Sequence, residues 1–122
     1  MKLVDTSAWI HALRPDGDAA VASRVRALLE NGEAAWCAMV RLELWNGAKG
    51  EHEKRVLRDM ERNLIELETG PEAWAEACNL ARRTRGHGKT IPATDLLIAA
   101  CAGHYGVGIE HADEHFDMLS RL

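Results

Sequence analysis

The sequence predicts an α/β fold, in which a short parallel sheet lies between two layers of helices. Short apolar runs, of the length of buried strands, alternate along the chain with longer segments that have helical apolar spacing. Because one or two helices separate each strand from the next, the strands are expected to run parallel, with helices on both faces. The 122 residues are 47% hydrophobic, so we predict one compact domain, residues 1–122, with a sizeable core.

Two strands and four helices are predicted in the first half of the chain. The opening apolar run stops at Asp5, and a helical pattern follows until Pro15 and Gly17 break it. Two further helical patterns end at Gly32 and Gly47, where glycine is a typical helix terminator. A charged helix with an apolar stripe comes next. We therefore predict strands at residues 1–4 and 33–38 and helices at 8–13, 19–30, 39–47 and 51–63.

The second half continues the alternation. Residues 64–68 alternate apolar and acidic side chains, which favours a strand near the edge of the sheet. Pro71 suits the first turn of a helix, whose apolar face includes Trp74, Ala77, Cys78, Leu80 and Ala81. The most hydrophobic helix of the chain follows, with Thr94 as its expected N-cap and Asp95 in its first turn. We predict helices from residue 71 into a basic stretch before residue 86, over 96–102 and over 114–122, and a weak strand at 107–111.

The composition argues against secretion and membrane insertion. No apolar run approaches the roughly 20 residues of a membrane span, and the N-terminus lacks the basic and apolar segments of a signal peptide. The three cysteines Cys37, Cys78 and Cys101 are far apart and have apolar or helix-forming neighbours. We interpret them as reduced core residues of a cytoplasmic protein.

The net charge of −4, from 15 basic and 19 acidic residues, argues at first against a nucleic-acid partner. That argument fails where several acids bind divalent cations, because the metal inverts the local charge. One segment is also free of acids. Its members, which we call the basic stretch, are the candidate contacts to RNA phosphates, although a solvated helix end is an equally good interpretation: Arg82, Arg83, Arg85 and Lys89.

Gly88, Lys89 and Thr90 match the end of a phosphate-binding P-loop, but the rest of that motif is missing. Arg83 stands where the first glycine of the motif belongs, and the preceding segment has a helical rather than a strand pattern. Pro92 interrupts the helix that should follow. We therefore interpret residues 86–90 as a flexible basic loop.

Four acids are expected to converge at one edge of the sheet. Asp5 and Asp113 follow the first and last strands, Asp95 opens a buried helix, and Glu43 lies on the helix after the second strand. Ligands of open α/β sheets bind at the carboxyl ends of the strands, and clustered carboxylates are stabilised mainly by hard cations such as Mg²⁺ or Mn²⁺. Helix capping by Asp5 or Thr6, a favourable helix dipole at Asp95 and a solvated position for Glu43 remain alternative interpretations.

Four motifs together resemble the PIN-domain ribonucleases, and specifically the small toxins of the VapC type from prokaryotic toxin–antitoxin pairs. Each motif is weak alone, but all four occur in order and at compatible spacing over essentially the whole chain. They are Val4-Asp5-Thr6-Ser7, Leu42-Glu43-Leu44, Ala93-Thr94-Asp95-Leu96-Leu97-Ile98-Ala99-Ala100 and His111-Ala112-Asp113-Glu114-His115-Phe116.

The resemblance implies a three-layer PIN-like fold and a metal-dependent endoribonuclease that cleaves RNA phosphodiesters with metal-activated water. It implies that Asp5, Glu43, Asp95 and Asp113 hold one or two Mg²⁺ or Mn²⁺ ions. Thr6, Ser7, Thr94 and Asp117 are its supporting residues, although a surface position for Asp117 is the stronger interpretation.

The resemblance also implies partners, namely a homodimer and an antitoxin whose tail lies across the active-site groove. Trp9 and Trp45 are candidate residues for either contact, with a place in the core as the alternative. One departure concerns the metal site. Many relatives carry a further acid just before the phenylalanine of the last motif, whereas this chain has His115, so a second metal site is left open.

The residues also bear on three alternative functions. A phosphatase that forms an aspartyl-phosphate would need a second aspartate at the position of Ser7. A zinc site would need a Cys-x-x-Cys or His-Glu-x-x-His pattern, and neither occurs. A catalytically silent PIN-like module that binds RNA or protein stays the alternative to the nuclease.

Overall fold

The computed structural model describes residues 1–122 and contains one sheet of four parallel strands in the order β3-β2-β1-β4. Seven helices connect and cover these strands. Along the chain the elements are β1 (Lys2–Val4), α1 (Thr6–Leu13), α2 (Ala19–Glu30), β2 (Ala34–Cys37), α3 (Ala38–Asn46), α4 (Gly50–Asn63), β3 (Ile65–Leu67), α5 (Pro71–Gly86), α6 (Ala93–Tyr105), β4 (Gly108–Glu110) and α7 (Glu114–Ser120).

The connections explain the three layers. The chain moves from β1 to β2 to β3 in one direction and then crosses back to place β4 on the other side of β1. Because crossovers between parallel strands are right-handed, connections that run in opposite directions place their helices on opposite faces. The strand order reverses between β1 and β4. In α/β folds the ligand crevice opens at such a reversal, at the carboxyl ends of the strands. The predicted α/β fold with a short covered parallel sheet is confirmed.

The core lies on both sides of the central strands. Leu3, Trp36 and Ile98 are 0 to 1% exposed, and one cluster of buried residues joins β1 and β2 to α1, α2, α3 and α6. Leu97, on another face of α6, packs with Ala77 of α5. Helix α6 therefore lies between the sheet and α5, and this explains why its sequence is apolar on nearly every face.

Helix α5 presents a different face to the core than the sequence pattern predicted. Trp74 is 56% exposed, and Cys78, one turn further along, is exposed as well. The buried positions are the small residues Ala73, Ala77 and Thr84. Small side chains let α5 pack closely on α6. The predicted burial of Ala77 is confirmed, and the predicted burial of Trp74 and Cys78 was wrong.

Two other details differ from the sequence prediction, and one open alternative is decided. Trp9 is 1% exposed, so its place is in the core, the alternative to a partner contact. Helix α6 begins at Ala93 with Pro92 as its N-cap, and Thr94 makes no capping bond. Helix α1 begins at Thr6, because the side chain of Asp5 caps it. None of the helices combines the length and apolar composition that crossing a bilayer requires.

Candidate metal centre

Asp5 connects the end of β1 to the start of α1. Its Oδ2 accepts bonds from the backbone N–H of Ser7 at 3.0 Å and from the Ser7 hydroxyl at 2.6 Å. Its Oδ1 is buried without a hydrogen-bond partner, and the residue is 3% exposed. Capping therefore accounts for one oxygen only. A buried carboxylate oxygen without a partner is unfavourable, and a bound cation would satisfy it.

Glu43 is held from the neighbouring turn of α1. The hydroxyl of Thr6 donates to Glu43 Oε1 at 2.8 Å, which fixes the carboxylate at the end of the sheet rather than leaving it in solvent. Partial burial raises the pKa of Glu43 above its usual value. The charges of the three other acids raise this pKa further, against the bond from Thr6, which lowers it.

Asp95 and Asp113 meet at a histidine. Asp95 is 7% exposed in the first turn of α6, and Asp113 caps α7 through the backbone N–H of His115 at 2.9 Å. His115 Nδ1 lies 2.9 Å from Asp95 Oδ2 and 3.0 Å from Asp113 Oδ1. The metal-ligating atoms of these three side chains all lie within 4.8 Å of one another.

The four acids share one electrostatic environment, and we call them the acidic cluster. Burial raises the pKa of Asp95, and the charges of Asp113 and Asp5 raise it further, against the contact with His115. Such repulsion between carboxylates is relieved by a bound divalent cation. Oxygen donors are the ligands that Mg²⁺ and Mn²⁺ prefer, and the unpartnered Asp5 Oδ1 is available, so these residues fit such a cation: Asp5, Glu43, Asp95 and Asp113.

Ser7 connects the two sides of the crevice. Its hydroxyl donates to Asp5 Oδ2 and accepts a bond from the backbone N–H of Ala112 at 2.9 Å. Ala112 immediately precedes Asp113, so Ser7 fixes the distance between the end of β1 and the segment after β4. The resemblance implies a supporting role for Ser7, but the bond to Ala112 could not be predicted, because the two residues are 105 positions apart in the sequence.

Glu110 is a buried acid that the sequence pattern did not single out as a site residue. It is 6% exposed at the end of β4, where Arg24 Nε lies 2.9 Å from Oε2 and Lys2 Nζ lies 3.8 Å from Oε1. Two cations neutralise this carboxylate from the side of β1 and α2. Its charge therefore serves the fold, in contrast to the acidic cluster, where a single partly exposed histidine is the only basic side chain within ion-pair distance.

The other predicted site residues lie outside the acidic cluster. Thr94 is half-buried in the first turn of α6 and makes no side-chain capping bond there. The side chain of Asp117 is 59% exposed, and its nearest ion-pair partner is His111 at 3.7 Å. The basic stretch is exposed and forms no internal ion pair.

The basic stretch lies at the same end of the molecule as Asp95. Helix α5 ends at Gly86 and α6 begins at Ala93. Because an extended residue spans roughly 3.4 Å, the short connection keeps these two helix ends within about 25 Å. Helix α5 runs through the basic stretch as predicted and includes Gly86, which was expected to begin the loop; the residues after Gly86 are irregular.

Comparison with known proteins supports the same family. The family model described as PIN domain matches residues 2–122. The chain is 33% identical to ribonuclease VapC18 of Mycobacterium tuberculosis over 98% of this chain and 87% of the relative. It is also 33% identical to the VapC ribonuclease Mb1587 of Mycobacterium bovis, over 100% and 93% of the two chains.

Solved structures share the fold. VapBC-1 from nontypeable Haemophilus influenzae has a TM-score of 0.75 at 20% identity, covering 99% of this chain and 93% of its own. FitAcB from Neisseria gonorrhoeae has a TM-score of 0.73 at 20% identity, covering 100% and 94%. The family match over nearly all residues, together with the sequence identity, confirms the resemblance: this chain belongs to the PIN-domain family, in the group of the VapC ribonucleases.

Proposed function

We propose that this protein is a divalent-metal-dependent endoribonuclease and the toxin of a type II toxin–antitoxin pair, with residues 1–122 as its single PIN-like domain. The observation that carries the proposal is the acidic cluster, in which a buried oxygen of Asp5 has no partner. The similarity of the chain to relatives named ribonucleases supports the same reaction class. Carboxylates that repel one another at neutral pH are unfavourable for folding, so their presence together indicates a binding role.

In this proposal the acidic cluster holds Mg²⁺ or Mn²⁺. A cation there supplies the positive charge that makes water nucleophilic at neutral pH and offsets the charge on the leaving oxygen of a phosphodiester. Ser7 holds Asp5 and Thr6 holds Glu43, each through its hydroxyl. These bonds restrict the carboxylates to one orientation, which limits the reorganisation needed when cation and substrate bind.

RNA would approach across the basic stretch. Its four cationic side chains are exposed and have no internal partner, so they are available to phosphates. They precede the helix that carries Asp95. We propose that they position the RNA backbone without reading its sequence, as phosphate contacts generally do.

An antitoxin would dock beside the acidic cluster. A surface pocket next to Thr6 and Glu43 has an apolar lining that includes Ile10, Leu44 and Val56. Apolar side chains of a partner segment fit such a pocket, and the segment would then cover the carboxylates. We also propose a cytoplasmic location and a homodimer, and sedimentation velocity of the antitoxin-free protein tests the dimer.

The test is cleavage of mixed cellular RNA by purified, antitoxin-free protein, with Mg²⁺ or Mn²⁺ present and then chelated. We expect cuts that require metal and that disappear in the Asp5→Asn and Asp95→Asn variants. Asp16→Asn is the matched control, because Asp16 is an exposed loop acid and its variant should keep full activity. Cutting that persists in both cluster variants contradicts the metal-nuclease proposal, and folded protein that never cuts favours the silent binding module.

A further inference from the structure

His115 contacts two members of the acidic cluster, Asp95 and Asp113. The resemblance of the last motif to the family predicts an acid at this position, and the chain has an imidazole instead. Its Nδ1 lies 2.9 Å from a carboxylate oxygen of Asp95 and 3.0 Å from one of Asp113. The side chain is 30% exposed, so the ring contacts the carboxylates through Nδ1 while part of it is open to solvent.

These separations are those of neighbouring ligands of one metal ion. Adjacent ligand atoms of an octahedral ion, each about 2.1 Å from the metal, lie about 3 Å apart. Nδ1 has this spacing from each of the two carboxylate oxygens, and the ligand atoms of the three side chains lie within 4.8 Å of one another. The backbone N–H of His115 donates to Asp113 Oδ1 and holds both side chains in register.

The chemistry of the nitrogen matters for the choice of cation. Mg²⁺ takes oxygen ligands, whereas first-row transition metals also bind nitrogen ligands, with an affinity that rises from Mn²⁺ through Fe²⁺ to Cu²⁺. A carboxylate at position 115 would give a site built from oxygen alone. The imidazole gives a mixed site with one negative charge fewer.

We propose that His115 Nδ1 is a direct ligand of the cation in the acidic cluster, and that this ligand makes the site prefer Mn²⁺ over Mg²⁺. The inference rests on the proposed function for the existence of the metal site. It adds the identity of a nitrogen ligand and the direction of metal selectivity.

Pulsed electron paramagnetic resonance of Mn²⁺ bound to the wild-type protein tests the ligand directly. We expect ¹⁴N modulation from a coordinated imidazole, and its loss in His115→Asp and His115→Gln. His104→Ala is the matched control, because His104 is an exposed residue at the far end of α6 and its variant should keep the signal. Circular dichroism verifies that each variant is folded.

Calorimetric titration with Mn²⁺ and with Mg²⁺ tests the selectivity. Changes in groups that only orient a ligand lower metal affinity about 10–100-fold, so loss of the ligand in His115→Gln should lower Mn²⁺ affinity at least about tenfold. In His115→Asp the ratio of Mn²⁺ to Mg²⁺ affinity should fall by a similar factor. Bound Mn²⁺ without ¹⁴N modulation overturns the inference and leaves the carboxylate site intact. Absence of any Mn²⁺ binding refutes the metal site itself and with it the proposed function.

Discussion

Replacement of Asp5 by Asn should make the metal-free protein more stable and the metal-loaded protein less stable than the wild type. Asn retains a side-chain oxygen that can accept both bonds from Ser7, at 3.0 and 2.6 Å, so the cap of α1 is kept. It replaces the unpartnered buried Oδ1 with an N–H donor beside the other carboxylates. Removal of the buried charge should add about 1 kcal/mol, the usual size of gain at a site strained for function.

The effect of metal follows from linkage. A ligand present at a hundredfold excess over its Kd stabilises the folded state by about 2.7 kcal/mol. For a chain of this size 1 kcal/mol shifts the Tm by about 4 °C. We therefore expect saturating Mn²⁺ to raise the Tm of the wild type by about 10 °C and to leave the Tm of Asp5→Asn nearly unchanged.

Differential scanning calorimetry in EDTA and in Mn²⁺ measures both effects. In EDTA the Tm of Asp5→Asn should exceed that of the wild type by about 4 °C. Asp16→Asn changes the net charge equally at an exposed loop position and should respond to Mn²⁺ like the wild type. A lower Tm of Asp5→Asn in EDTA, or an equal gain from Mn²⁺ in both proteins, would refute the reasoning.

Three further outcomes are expected. The pKa values of Glu43 and Asp95 are raised by burial and mutual repulsion. Their contribution to stability is therefore present below their ordinary values of 4.5 and 3.8 and is lost as pH rises through the folded values. In urea titrations of the metal-free protein, the free energy of unfolding of Glu43→Gln should exceed that of the wild type by an amount that grows with pH. A difference that shrinks as pH rises contradicts this. In Gly17→Ala the added Cβ would lie 2.6 Å from the Cα of His11. This clash should lower the free energy of unfolding by about 2 kcal/mol. Gly103→Ala is the control, because no atom lies within 4 Å of a Cβ added at Gly103, and its free energy of unfolding should rise by about 1 kcal/mol. Equal effects of the two substitutions would refute the clash. Replacement of the basic stretch by glutamine should reduce the slope of log affinity for single-stranded RNA against log salt by about 0.7 per lost phosphate contact, and an unchanged slope would remove the stretch from the RNA interface.

The local pattern was sufficient for most of the fold. Apolar periodicity and helix terminators such as Gly47 located every strand and helix to within a few residues, because these signals act over one or two turns. The acids at the ends of β1 and β4 could be assigned to one edge from the alternation alone, since parallel strands bring their carboxyl ends together.

Local pattern failed where two elements compete for the same face. Periodicity shows that α5 is amphipathic, but it cannot show that close packing on α6 selects alanine and excludes Trp74. In the same way, Thr94 has the residue type of an N-cap, but α6 begins at Ala93 with Pro92 as its N-cap.

The sequence by itself determined the fold class, the family and the four acids, because residue type and spacing carry that information along the chain. Tertiary structure alone decided that Asp5 keeps one oxygen buried without a partner and that Ser7 bridges to Ala112. It also decided that His115 lies between Asp95 and Asp113. The contacts of His115 with Asp95 and of Ser7 with Ala112 join residues 20 and 105 positions apart, and such contacts are set by the packing of helices on the sheet, which no local pattern encodes.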